Sequence, residues 1–149
     1  MGDHRTITII GDPIRKEVLA AGTITPGMLI AIGTAGTALA HASASGNAQK
    51  MFALEDELQG HEIGDNYSSG NRVLYGVFRN GEEVNAILAT SQTIVIGDLL
   101  ESAGNGYLRK HVPDPEDSTF QKVQQGIVAR AMEAVTTTSA VSRIRVEIM

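Results

Sequence analysis

Hydrophobic and polar positions in this chain alternate in short runs more often than they recur at helical spacing. Ile7 and Ile9 fall on one side of an extended backbone and Thr6 and Thr8 on the other, the period-two signature of a short strand. Gly11-Asp12-Pro13 follows as a turn. No run in this part of the chain is able to anchor a core. Residues 1–17 therefore read as an extended amino-terminal arm that orders on contact with something else, and 18–149 as a β-rich domain. Within that domain Thr23–Thr25, Met28–Ile32 and Thr37–His41 read as short strands, with a turn at Thr34-Ala35-Gly36 and a loop at Ser43–Asn47.

Further along, Lys50–Leu58 is open to helix or strand, its length suiting a strand that runs into a turn at Gly60, and His61–Asn71 reads as a loop with room for one helical turn. Arg72–Asn80 is rich in β-branched and aromatic residues and is a strand. Asn80-Gly81 closes it with two residues that tolerate positive φ, so Glu83–Thr90 is expected to return beside it as a hairpin. Thr93–Ser102 and Gly106–His111 follow, joined through Gly104-Asn105-Gly106, and Pro113–Lys122 reads as an exposed acidic loop. Phe120, Val123, Ile127, Ala131 and Val135 fall at helical spacing, but Gly126 and the β-branched Thr136–Thr138 oppose a helix. Ile144, Val146 and Ile148 alternate with Arg143, Arg145 and Glu147, a half-buried antiparallel strand. Pairing it with Gly126–Val135 through a turn at Thr136–Ala140 gives a hairpin. The pattern predicts a mainly β fold, a small antiparallel β barrel or sandwich of short strands with an extended N-terminal arm.

A second regularity is longer. Sliding the chain by 70 residues lays 23–41 on 93–111 and matches Thr23/Thr93, Ile24/Ile94, Gly27/Gly97, Leu29/Leu99, Gly36/Gly106 and His41/His111, six of nineteen positions. Background composition would give about one match. Either one unit was duplicated, or two hairpin units converged on similar glycine turns.

Composition narrows the function. The length, 149 residues, suits one domain, and a formal charge of -5 gives a nucleic-acid partner no electrostatic footing and argues against an anionic membrane surface. There is no cysteine and no Trp, with three Phe and three Tyr, so the core is built from aliphatic residues and oligomerisation gains value. From Val18 to Gln49, 32 consecutive residues carry no Asp, Glu, Lys or Arg. Pro26, Gly27, Gly33 and Gly36 break this tract into apolar runs too short to span a membrane, and no signal peptide is expected. Charge depletion is what the centre of a contact surface shows, because each charge there must be desolvated. A barrel wall would be equally uncharged.

Chemistry is hard to place. His4, His41, His61 and His111 stand at no metal-ligand spacing and read as solvated loop residues. Glu55–Glu57 with Glu62 and Asp65, and the acidic Glu116-Asp117, lack the spacing of a calcium loop and read as solvated rims. Gly33–Gly36 is not followed by Gly-Lys-Ser/Thr, and no Gly-x-Ser-x-Gly occurs. No catalytic residue, cofactor or metal ligand is assigned, and the chain is not expected to be an enzyme.

Four pieces carry a family resemblance: "AGTITPGMLI" (Ala21–Ile30), "AHASASGNAQKMFALEDELQG" (Ala40–Gly60), "TIVIGDLLESAGNGYLRKH" (Thr93–His111) and "GIVARAMEAVTTTSAVSRIRVEIM" (Gly126–Met149). In this order they resemble the capsid cement, or head decoration, proteins of tailed bacteriophages, from about Val18 to the carboxyl end; the amino arm matches least. The resemblance implies a β-rich homotrimer on the outer surface of the phage head, made in the bacterial cytoplasm. It would stabilise the shell by bridging subunits of the major capsid protein, its arm would reach the capsid, and it would have no enzymatic activity. Arm residues Ile7, Ile9, Ile10, Pro13 and Ile14 and tract residues Thr25, Met28 and Ile30 are the expected capsid or inter-subunit contacts. On this reading, removal of residues 1–17 leaves the domain folded. The main alternative is a small β-barrel binding module for a carbohydrate or peptide, for which Tyr67, Tyr75 and Tyr107 are the only tyrosines available as faces. A hydrolase with dispersed carboxylates is a third.

Overall fold

A computed structural model describes residues 4–112 and 126–149. Those residues form thirteen strands: β1 (Thr8–Ile10), β2 (Ile14–Leu19), β3 (Ile30–Ile32), β4 (Ala38–Ala40), β5 (Met51–Ala53), β6 (Arg72–Val77), β7 (Glu83–Leu88), β8 (Thr93–Ile94), β9 (Leu99–Ser102), β10 (Leu108–Lys110), β11 (Ile127–Ala131), β12 (Val135–Thr136) and β13 (Ser142–Ile148). One 3₁₀ turn, Glu57–Gln59, ends at Gly60 with φ of 73°. The fold is mainly β, as its alternating pattern predicts.

The second half of the chain closes a five-stranded barrel in the order β7-β10-β9-β11-β13, with β13 returning to β7. The alternation of β13 drives closure: Ile144, Val146 and Ile148 point inward and are fully or almost fully buried, while Arg143, Arg145 and Glu147 point out. The expected pairing of the last strand with Gly126–Val135 is present as β11 against β13, Ala131 opposite Val146. The expected loop Pro113–Lys122 lies outside the described residues.

The first half runs the same circuit more loosely. Strands β2, β6 and β5 pair in that order. A bridge between Phe52 and Leu29 leads to the hairpin β3–β4, and a parallel bridge between Ala38 and Ala20 returns to β2. Hydrogen bonds recur strand by strand. Gly27 N donates to Ala53 O (2.8 Å) and Ala53 N to Met28 O (3.0 Å); Gly97 N donates to Ala131 O (2.9 Å) and Ala131 N to Asp98 O (2.8 Å). Leu54 N meets Leu74 O as Met132 N meets Arg145 O, and Ala21 N meets Ala38 O as Ala89 N meets Leu108 O. Residue opposite residue, β2 therefore corresponds to β7, β5 to β11 and β6 to β13, with Arg72 in the place of Arg143 and Leu19 in that of Ile87. The equivalence is wider than the nineteen positions that align in sequence.

Two expectations need correction. Glu83–Leu88 does not return beside Arg72–Val77 as a hairpin: β6 pairs with β2 and β5, and β7 with β1, β10 and β13. The turn Arg79–Glu82 has φ of 92° at Gly81, but Asn80 has no positive φ. It is thus not the type I′ turn whose twist keeps two strands together, and the strands splay into different halves. Nor do residues 1–17 form a separate arm. Ile7 is fully buried in the larger core, Asn85 N donates to Ile7 O (2.7 Å), β1 lies against β7, and β2 is a wall of the first ring. The charged run Arg15–Glu17 hid β2 because all three side chains face solvent.

The two cores interlock. Leu29, Phe52, Leu54 and Phe78 from the first half pack into the cluster that fills the second barrel, and Ile87 from the second half completes the first. Phe52 and Phe78 meet edge to face at 5.8 Å, a geometry worth about 0.5–1.5 kcal/mol beyond area burial.

Four stability outcomes follow from this packing. Ile7→Ala should lower unfolding free energy by about 2–5 kcal/mol, read by urea denaturation, and deletion of 1–17 should unfold the domain rather than spare it. Gly27 and Gly97 have nearly the same φ, 94° and 93°, yet a Cβ at Gly27 would strike Asn85 O at 2.8 Å while Gly97 opens on empty space. Gly97→Ala should cost about 1–2 kcal/mol for the backbone alone, and Gly27→Ala about 1–3 kcal/mol more.

Candidate contact surface

Polar clusters inside the chain are spent on its own structure. His41 and His111 are not solvated loop residues as their sequence context suggested: His41 is buried, and the His111 side chain is only 7% exposed. His41 Nδ1 lies 2.7 Å from Ser102 Oγ and its Nε2 3.0 Å from Asn47 O; His111 Nδ1 lies 3.0 Å from Glu101 Oε2. Both histidines close the same strand ending, His41 N donating to Leu29 O and His111 N to Leu99 O. Buried Glu101 also accepts from Arg109 Nε (3.0 Å) and Ser45 Oγ (2.9 Å). The Ser45 hydroxyl donates to the Glu101 carboxylate and accepts from Arg109 Nη2 (2.7 Å), so no serine–histidine pair forms there. Among the described residues no three His, Asp or Glu side chains converge as a metal site, and no helix is long and apolar enough to cross a membrane.

The centre of the uncharged tract, Ile24 to Ile30, faces inward, while the loop Ala42 to Ser45 is exposed. Ile24, Leu29, Ile30 and Ala38 are fully buried and Met28 nearly so. The tract packs against the chain's own second half: Leu29 N donates to Gly106 O (2.9 Å), Gly106 N to His41 O (3.1 Å), and a Cβ on Gly106 would sit 3.1 Å from Ala40 and Met28. Small residues are required there because two backbones approach closely. Of the tract's outward side, Ile32 and Leu39 remain exposed. An open groove of about 440 Å³, lined by uncharged residues including Met28, Leu39, Ala42 and Asn105, separates the tract from the Gly104–Gly106 turn.

The expected contact residues scatter accordingly. Ile7, Pro13, Met28 and Ile30 are buried within the chain, and Ile9 and Thr25 are half-buried. Ile10 (51% exposed) and Ile14 (54%) flank the Gly11–Pro13 turn and present apolar surface to solvent. Sequence reasoning missed Leu19, Leu58, Val95 and Ile96, all exposed. In a strand-like run an apolar residue reads as core, and only the ring geometry shows which ones point outward.

At the boundary between the halves, Arg143 is the organising side chain. Its Nη1 donates to Pro26 O and its Nη2 to Ile63 O (2.9 Å), holding the Thr25–Met28 turn against β7 and β13. Burial lowers the Arg143 pKa, and burial raises that of Glu55, whose Oε2 accepts from Ile7 N at 3.1 Å. The tyrosines are unavailable as flat platforms. Tyr67 donates to Leu54 O (2.6 Å) with its pKa pushed by burial to about 12, Tyr75 is buried, and Tyr107 is half-buried against the first core.

No protein-family model matches the chain, and no curated protein matches it in sequence. Among solved structures it is similar to the N base of the head fiber protein gp8.5 of bacteriophage phi29, with a TM-score of 0.55, 11% sequence identity, and coverage of 91% of this chain and 93% of that one. At that identity the likeness is one of fold, and it spans both halves.

Proposed function

We propose that this chain is a phage head decoration protein that assembles as a homotrimer on the outer capsid surface and stabilises the shell by bridging major capsid protein subunits. The observation that carries the reading is a fold shared over nine-tenths of both chains with a protein of a phage head, joined to the four sequence pieces that resemble cement proteins. Multiple weak contacts per trimer would resist pressure through multivalency rather than through any one strong contact. Ile10 and Ile14 are the members of the expected contact set whose side chains reach solvent, and they are assigned here to the capsid. A carbohydrate module is the weaker reading, because Tyr67 and Tyr75 are buried and Tyr107 half-buried. A hydrolase is weaker still, because Glu101 and the histidines spend their hydrogen bonds internally.

Light scattering should give a mass three times the 15.8 kDa of one chain. Expanded heads assembled from the major capsid protein of the same genome should take up the chain at defined surface positions, seen by electron microscopy. Heads that remain bare at saturating protein would overturn the function. Ile10→Asp with Ile14→Asp should weaken head binding tenfold or more with the melting temperature shifted by no more than a few degrees, since each isoleucine forfeits about 1 kcal/mol of apolar burial.

A further inference from the structure

The repeat makes the contact between the halves a template, and each side of that template recurs elsewhere on the molecule with no partner among the described residues. Within the chain, the type II turn Thr25-Pro26-Gly27-Met28 is the prong, with Met28 N donating to Thr25 O (3.0 Å). Its seat is the outer face of β7 and β13: Arg143 grips Pro26 O, Gly27 presses on Asn85, and Ile87 is buried beneath the first half. In the second half the corresponding turn is Val95-Ile96-Gly97-Asp98, with Asp98 N donating to Val95 O (3.1 Å). Pro26 is buried, but Ile96 is 70% exposed and Val95 55%. The corresponding seat is the outer face of β2 and β6. Leu19, in the place of Ile87, is 47% exposed against 5%, and Glu17 and Arg72 stand where Asn85 and Arg143 stand. Arg72 Nη1 donates to Glu17 Oε2 at 3.3 Å in a solvent-exposed pair, which its other N–H groups would complement by reaching a carbonyl as Arg143 does. Beside that pair lies a cavity of about 230 Å³ lined mostly by charged side chains, Arg15, Lys16, Glu17, Glu55 and Glu57, with Leu58 and Leu74.

We infer that copies of this chain associate head to tail: the Val95–Asp98 turn of one copy docks on the outer face of β2 and β6 of the next, with Arg72 donating to the carbonyl of Ile96. The contact repeats between copies the contact that already joins the two halves within one. It is heterologous, one prong and one seat per copy, so it builds a ring where the rotation closes and an open filament where it does not, and the trimer proposed above requires the ring. The inference stands on the internal equivalence and supplies the surface for the self-association proposed above, without depending on a phage head.

The absence of cysteine in the chain makes the test direct. Ile96→Cys and Arg72→Cys variants, mixed and oxidised, should yield a covalent dimer, while each variant alone should yield at least tenfold less. The two changes combined in one chain should give a ladder ending at the number of copies in the ring. Equal cross-linking of Ile96→Cys with itself would overturn the head-to-tail arrangement, and so would monomeric wild-type protein by light scattering at 100 µM or thereabouts. Ile96→Asp, at an exposed turn, should weaken association at least tenfold with the melting temperature nearly unchanged. Unaltered association of that variant would overturn the assignment of the prong. Head binding by a trimer whose Ile96→Cys and Arg72→Cys variants fail to cross-link would leave the decoration reading in place, so the two ideas fail separately.

Discussion

Strand β7 is buried along its whole length and belongs to two cores at once. Its inward residues Val84, Ala86 and Leu88 fill the second barrel, and Ile87 on the opposite face completes the first. A strand with two buried faces must satisfy every polar group it carries, since an unpaired buried one costs about 1–3 kcal/mol. Glu83 does so through Arg145 at 2.6 Å, and Asn85 through the carbonyls of His4 and Thr6. The amino-terminal segment is thereby fixed to the second half rather than left free. The halves are consequently one folding unit, although each has its own circuit of strands.

The same constraint explains an asymmetry between topologically equivalent halves. The second barrel has strand ladders at β9–β11 and β7–β13 and a single parallel pair, Leu108–Leu88, between β10 and β7; the first has single bridges at both Phe52–Leu29 and Ala20–Ala38. Its counterpart of β7 is β2, where five of six residues are exposed and only Val18 is half-buried. One half therefore has its outer face covered and the other presents the equivalent face bare, with Arg72 and Leu19 on it. Charged Arg15, Lys16 and Glu17 lie on β2, the edge strand of its sheet, where charge discourages unspecific strand pairing.

Function reads from this geometry by what each polar group is already doing. Histidines and carboxylates that could have formed a reactive site instead bind strand ends to one another, as His111, Glu101, Arg109 and Ser45 do. Apolar side chains left over at the surface, Ile10, Ile14, Leu19, Val95 and Ile96 among them, sit at turns and on outer strand faces.

Period-two alternation determined much by itself: the mainly β class, the short strands, β11 against β13, and the glycine turns at Gly27 and Gly97, whose positive φ follows from local sterics. The resemblance in the chain between 23–41 and 93–111 was also visible, but not its extent. The spacing shifts between Ala53 and Ala131 and between Arg72 and Arg143, so a fixed slide loses the correspondence that hydrogen-bond partners keep. Which strands pair was decided only in three dimensions. Asn80-Gly81 favours a hairpin locally, yet the backbone at Asn80 and the two-faced burial of β7 send the strands apart. The direction of each apolar side chain was likewise undecided, because alternation fixes which residues share a face and only packing fixes which face meets the core. Ile7 and Ile96 look alike along the chain; one is in the interior and the other in water because of what the rest of the fold brings beside them.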